Sequence, residues 1–268
     1  MNLALADLRA FEETLQTKVP GFKVKFKDES TFMKVLGFLS FPFNPKFMGS
    51  YTTTIGKTVY FPSRAGYEAS PGKSFRTLAH EFVHMWDGGL WFSLSYLFPQ
   101  VLAVIPLLVF AVLAWPHTWL LSMLLGGYIL AAGVAQKSLV GFAVVLGTVG
   151  LVMVGLTIFL TGWSVLALVS ALVCLAPWPA PWRAHWELRG YRMSLAVDQW
   201  LSGRTSLEVR DRIVEHFVGP DYYFMSWGRY AITVDLDRTA REAYSGVLQE
   251  QAPYQVVWQF LASRNLLS

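Results

Sequence analysis

Residues 93 to 179 carry one charged side chain, Lys137, in a chain of 268 residues that holds 22 lysines and arginines and 18 acidic residues. No other feature limits the possible folds as much. A water-facing core of this length would alternate apolar and polar faces, and this stretch does not. The expectation is a membrane-spanning region, 93–179, with a polar part before it (1–92) and another after it (180–268). A helix needs about 20 apolar residues to cross the hydrocarbon core. Weak points at Trp115-Pro116-His117, Gln136-Lys137 and Thr161-Gly162-Trp163 divide the stretch into four segments, 94–115, 118–136, 138–160 and 162–178. Four spans return the chain to the side it left. Lys137 then lies on the side of both polar parts, in keeping with the positive-inside tendency. The sequence thus predicts an integral membrane protein of the bacterial inner-membrane kind, with the lipid bilayer as a partner and both termini cytoplasmic.

Net charge is +4. The first 92 residues hold 11 basic and 8 acidic side chains, and the segment after 179 holds 10 of each. No basic cluster with interleaved aromatics occurs, so no nucleic-acid partner is expected. The lone cysteine, Cys174, permits neither an intrachain disulfide nor a thiolate metal site. The opening MNLALADLRAFEETLQ lacks the apolar core of a signal peptide. It reads as an amphipathic helix with Leu3, Leu5, Leu8, Phe11 and Leu15 near one face.

Local patterns place the remaining elements. FKVKFK, 22 to 27, alternates as a strand does. Residues 30 to 40 suit a short helix, and Pro42 and Pro45 then break regular structure. YTTTIGKTVYFPS, 51 to 63, reads as a hairpin turning at Gly56-Lys57. Ser74 is placed to cap a helix from Phe75 to Asp87, ended by Gly88-Gly89. Beyond the apolar region, 184 to 200 reads as a helix. Thr205 and Glu208 form a candidate capping box for another, 206 to 217. The chain from about 236 is expected to be helical, with a break at Pro253.

The chemistry lies in FRTLAHEFVHMWD, 75 to 87, which holds His80, Glu81 and His84 in the spacing H-E-x-x-H. Helix residues four apart share a face, so His80 and His84 present two imidazoles to one point. Glu81 follows the first of them without being a ligand. Zinc lowers the pKa of water that it binds, and a carboxylate at this place can accept the proton. A catalytic zinc takes three protein ligands and keeps one position open. Asp87 is too close along the same helix to serve as the third. The candidates lie after the apolar region: His185, Glu187, Asp198 and His216. Glu187 is favoured, because it stands on a helix just after the last span as the motif stands just before the first. For the oxyanion, Tyr191, His216, Tyr222 and Tyr223 qualify by residue type. Tyr191 is preferred, one turn beyond Glu187.

HEFVH, an apolar insertion, and a glutamate within ELRGYRMSLA together resemble the gluzincin membrane metallopeptidases, nearest in pattern to the HtpX and Ste24 peptidases. The likeness covers about half of the chain. In that family an aspartate follows the glutamate by four residues, where this chain has Tyr191. The resemblance implies a mostly α membrane protein with a small α+β zincin-like catalytic part. It also implies about four transmembrane helices inserted between the HExxH helix and the third-ligand helix. Zinc would be held by His80, His84 and Glu187, with Glu81 as general base and Tyr191 as a catalytic partner. The implied activity is a zinc metalloendopeptidase, a hydrolase of peptides or proteins, membrane-associated ones included. It also gives one half of the hairpin, 51 to 55 or 58 to 61, the role of a substrate-binding edge. The alternative is a non-enzymatic membrane protein in which a structural zinc, closed by His185 or Asp198, joins the two polar parts.

Overall fold

The computed structural model describes residues 3–41, 45–88, 139–161, 181–219, 225, 226 and 228–268, with single positions at 92, 119, 122, 123, 126, 127, 130 and 134. The chain divides into two units. The first comprises Met1–Gly89, His185–Val214 and Tyr230–Ser268, and the second Leu90–Ala184 with Glu215–Arg229.

The first unit opens with α1, Leu5–Lys18, whose Leu8, Phe11 and Leu15 are buried at helical spacing. Leu5, expected on that face, is exposed. Strand β1, Lys23–Phe26, leads to α2, Thr31–Ser40, capped by the Ser30 hydroxyl, which accepts from the amide of Met33. A single turn, α3, Phe47–Ser50, precedes the hairpin of β2, Thr53–Ile55, and β3, Thr58–Phe61. Gly56 turns that hairpin at φ 59°, a conformation that suits glycine. The sheet order is β1-β3-β2, with β1 parallel and β2 antiparallel to β3. β3 is therefore central and β2 is an edge. Of the two halves expected to offer an edge, only 51–55 does so.

Helix α4, Arg64–Ala69, passes into α5, Pro71–Trp86. The motif helix begins earlier than expected, because Pro71 takes its first position, where a missing N–H costs nothing. Ser74 does not cap it: its hydroxyl is buried and donates to the Tyr67 carbonyl at 2.8 Å. Phe75, Leu78, Ala79, Phe82 and Val83 are buried on one face of α5. Phe75 meets Phe11 of α1 with ring centroids 4.3 Å apart. Helix α6, Leu139–Thr161, lies in the second unit. Helix α7 is Pro181–Ser202, α8 Leu207–Val218, α9 Arg229–Ser245 and α10 Tyr254–Ser263. Thr205 donates to the Gln199 side chain at 2.8 Å instead of closing the expected capping box. Met193, Ala196, Val197 and Trp200 of α7 join Phe11, Phe75, Phe82, Val257 and Phe260 in one core.

The fold class is corrected here. Among the described residues no helix is long and apolar enough to cross a membrane. The expected four transmembrane helices are not supported. Neither are the integral-membrane placement and the inner-membrane, cytoplasmic-face localisation that followed from them. What is described is mostly helical with a small three-stranded sheet. Of the four expected segments, 138–160 coincides with α6, where side chains are described at only some positions. The segments 94–115, 118–136 and 162–178 lie outside the described residues, single positions apart. Hydropathy registers composition, whereas a span also needs an unbroken apolar run of about 20 residues in one helix.

Candidate metal centre

Helix α5 presents His80 and His84 on the face next to its apolar stripe, and α7 presents Glu187. All three side chains are buried. Each offers a ligand atom, and these atoms lie within 4.8 Å of one another. The two Nε2 atoms are 3.1 Å apart. His80 Nε2 is 3.4 Å from Oε2 of Glu187. Bonds of about 2.0–2.1 Å to a tetrahedral ion separate its ligand atoms by about 3.3 Å, which the His80–His84 and His80–Glu187 separations match. Two imidazoles and a carboxylate, buried together, could hold a metal ion. The geometry does not say which one.

Electrostatics accord with that donor set. Burial presses the His80 imidazole toward its neutral form. The hydrogen bond it donates to Glu187 and the charges of Glu81 and Glu187 outweigh this and hold its pKa above the ordinary value. His84 is driven the other way, first by burial and then by the neighbouring His80. Together the two rings and the carboxylate form a buried group whose charges an added cation would rearrange.

The surroundings of His80 explain its orientation. The ring lies edge-on to Tyr191, with centroids 4.7 Å apart. Its Nδ1 is 3.5 Å from the Ser194 hydroxyl oxygen, which leaves Nε2 toward Glu187. Gly190 makes room for it: a Cβ there would lie 2.5 Å from His80 Nε2. Glu187, Gly190, Tyr191 and Ser194 recur at three and four residues along α7, so they line one face.

Glu81 is half-buried beside His80 and does not belong to the ligand group. Its Oε2 accepts a 2.7 Å hydrogen bond from the hydroxyl of Thr54 in β2. The other sequence candidates are placed elsewhere. Asp198 is paired with Arg76 at 2.9 Å. His185 is exposed and lies against Trp186. Asp87 receives both arms of Arg189 at 2.6 Å each. His216 falls in the second unit and outside the group. Tyr222 and Tyr223 lie outside the described residues.

Thr54, Gly190, Ser194 and the Asp87–Arg189 pair were not singled out from sequence as parts of the site. The spacing Glu187-Gly190-Ser194, with turns of three and four residues, carried a signal for two of them. Thr54 had none beyond its place in the hairpin.

The molecule is thus a mostly helical protein with a three-stranded sheet and a buried His–His–Glu group able to take a metal ion. Its sequence finds no match among family models or curated proteins, and its fold finds none among solved structures.

Proposed function

We propose that the chain is a zinc-dependent metallopeptidase that hydrolyses peptide bonds in peptides or proteins. His80, His84 and Glu187 would hold the ion, a donor set that suits zinc with one position left open. Zinc so held supplies a Lewis acid and lowers the pKa of water toward ~7. Glu81 serves as general base, taking a proton from the attacking water and passing it to the departing amine. Tyr191, beside His80, is the assigned partner of the oxyanion.

An extended peptide would add to the outer edge of β2 through main-chain hydrogen bonds. The two edges of the sheet differ in a way that favours this side. β1 carries exposed Lys23 and Lys25, charges that discourage strand pairing. β2 carries Thr53, Thr54 and Ile55, and it is β2 that touches Glu81.

The observation that carries the reading is the place of Glu81. It stands next to the ligand group without joining it, tied by Thr54 to an edge strand of the described sheet. A structural zinc is normally closed by four protein ligands, and among the described residues the group has three. The test is a peptidase assay on zinc-loaded protein, wild type against Glu81→Gln, with zinc measured on both. Hydrolysis by wild type and none by a variant that keeps its zinc is the expected result. Zinc on both with no hydrolysis of any peptide in a broad library would overturn the enzyme reading and favour a structural ion.

A further inference from the structure

The ligand group joins two helices whose ligands, His84 and Glu187, are far apart in sequence. Their register cannot come from local chain geometry. Two ion pairs cross between α5 and α7, one on each side of His80 and His84 along α5. Toward the C-terminal end of α5, Asp87 takes both guanidinium arms of Arg189, at 2.6 Å each. Toward its N-terminal end, Arg76 donates to Asp198 at 2.9 Å. The contacts 76 to 198, 80 to 194 and 87 to 189 run in opposite chain directions, so the helices are antiparallel. The polarity alternates as well: acid on α5 with base on α7 at one end, base on α5 with acid on α7 at the other.

We propose that Asp87 and Arg189 are positioning residues of the metal centre, with Arg76 and Asp198 as the weaker second half of the same device. A slip of one residue along either helix turns a side chain by about 100° and removes Glu187 from the imidazoles. The crossed polarity opposes such a slip, because a shifted helix loses both attractions at once. The pair nearer the metal ligands is the stronger. Asp87 follows His84 by three residues, and its side chain is only 8% exposed. Arg189 follows Glu187 by two and binds Asp87 through Nε and Nη2, the geometry that fixes direction as well as distance. The outer pair buries its acid less, Asp198 being 17% exposed, and engages one arm.

This proposal rests on the metal reading and not on the peptidase reading. The experiment is a competition titration of Zn²⁺ against a chromogenic chelator, with the visible spectrum of the Co²⁺-loaded protein, on the full chain. Asp87→Asn and Arg189→Lys should each weaken zinc by about 10- to 100-fold, the range for partners that orient ligands. Both should alter the Co²⁺ bands. Arg76→Met should weaken zinc less than either. The exchanged pair, Asp87→Arg with Arg189→Asp, should recover most of the loss, which a merely structural contribution at two separate sites would not do. Should a single variant fail to fold, Arg189→Lys, which keeps the charge and loses the fork, still decides the matter. Singles that bind zinc within twofold of wild type with unchanged Co²⁺ bands overturn the clamp. No zinc on the wild type overturns the metal reading beneath it.

Discussion

The hydroxyl of Thr54 donates a 2.7 Å hydrogen bond to Oε2 of Glu81, tying the edge strand β2 to the residue that follows His80. A hydrogen bond to an ionised carboxylate contributes about 1.5–3 kcal/mol. Here it restricts where that carboxylate points. Thr54→Val, which removes the donor and keeps the shape, should lower peptide hydrolysis by about 10- to 100-fold with zinc content unchanged. Thr54→Ser should retain most of the activity. Steady-state kinetics beside metal analysis measures both, and a Thr54→Val enzyme with wild-type turnover would remove Thr54 from the site.

Glu81→Gln keeps the size of the side chain and its hydrogen bond to Thr54 while abolishing its basicity. A general base contributes about 10²- to 10⁴-fold, so turnover should fall by at least that range. Zinc should stay at the wild-type ratio, because Glu81 lies outside the ligand group. Loss of zinc in this variant would show that Glu81 is a ligand.

Glu187→Ala should release the metal or weaken it steeply, since it removes one of three ligand side chains. Inductively coupled plasma measurement of zinc per chain, wild type and variant side by side, decides this. His185→Ala and Asp198→Ala should leave zinc unchanged, one being exposed and the other committed to Arg76. Full retention by Glu187→Ala would move the third ligand elsewhere.

Gly190→Ala separates helix propensity from the metal site. Alanine inside a helix is favoured over glycine by roughly 0.5–1 kcal/mol, so propensity alone predicts a more stable apo-protein. The added Cβ would stand 2.5 Å from His80 Nε2, so the imidazole must move. The expected outcome is weaker zinc binding in a protein whose apo melting temperature is unchanged or raised. Zinc bound as tightly as in wild type would show that the ring relocates at no cost.

Lys27 is fully buried, with its ammonium 2.7 Å from the Phe47 carbonyl oxygen and 3.7 Å from that ring's centre. Burial lowers its pKa from 10.5 to about 8, against the opposing pull of Glu81. Between those values the unfolded chain holds more of this proton than the folded one, so this lysine makes stability rise with pH. Below about pH 8 both states are protonated and the contribution is level. Denaturant midpoints should climb across that window in wild type relative to Lys27→Met. Parallel curves would show that the ammonium is not held at a lowered pKa.

Much of the local structure was legible. The alternation of FKVKFK marked β1, and Gly56 marked the hairpin turn, because each depends on a few neighbouring residues. His80 and His84 share a face for the same reason: 3.6 residues per turn is a property of any helix. Composition registered 93–179 as hydrocarbon, yet no helix among the described residues is long and apolar enough to cross a membrane.

By itself, then, the sequence determined the first strand, the hairpin, the imidazole pair and the glutamate beside it. These are set by periodicity over one or two turns. Among the residues after 180, tertiary structure decided that Glu187 meets the imidazoles while His185 stays exposed and Asp198 turns to Arg76. It also decided that Gly190 gives His80 its room and that Asp87 is taken by Arg189. Such pairings are made by helix packing around a shared apolar core, across separations over which spacing in the chain fixes no direction.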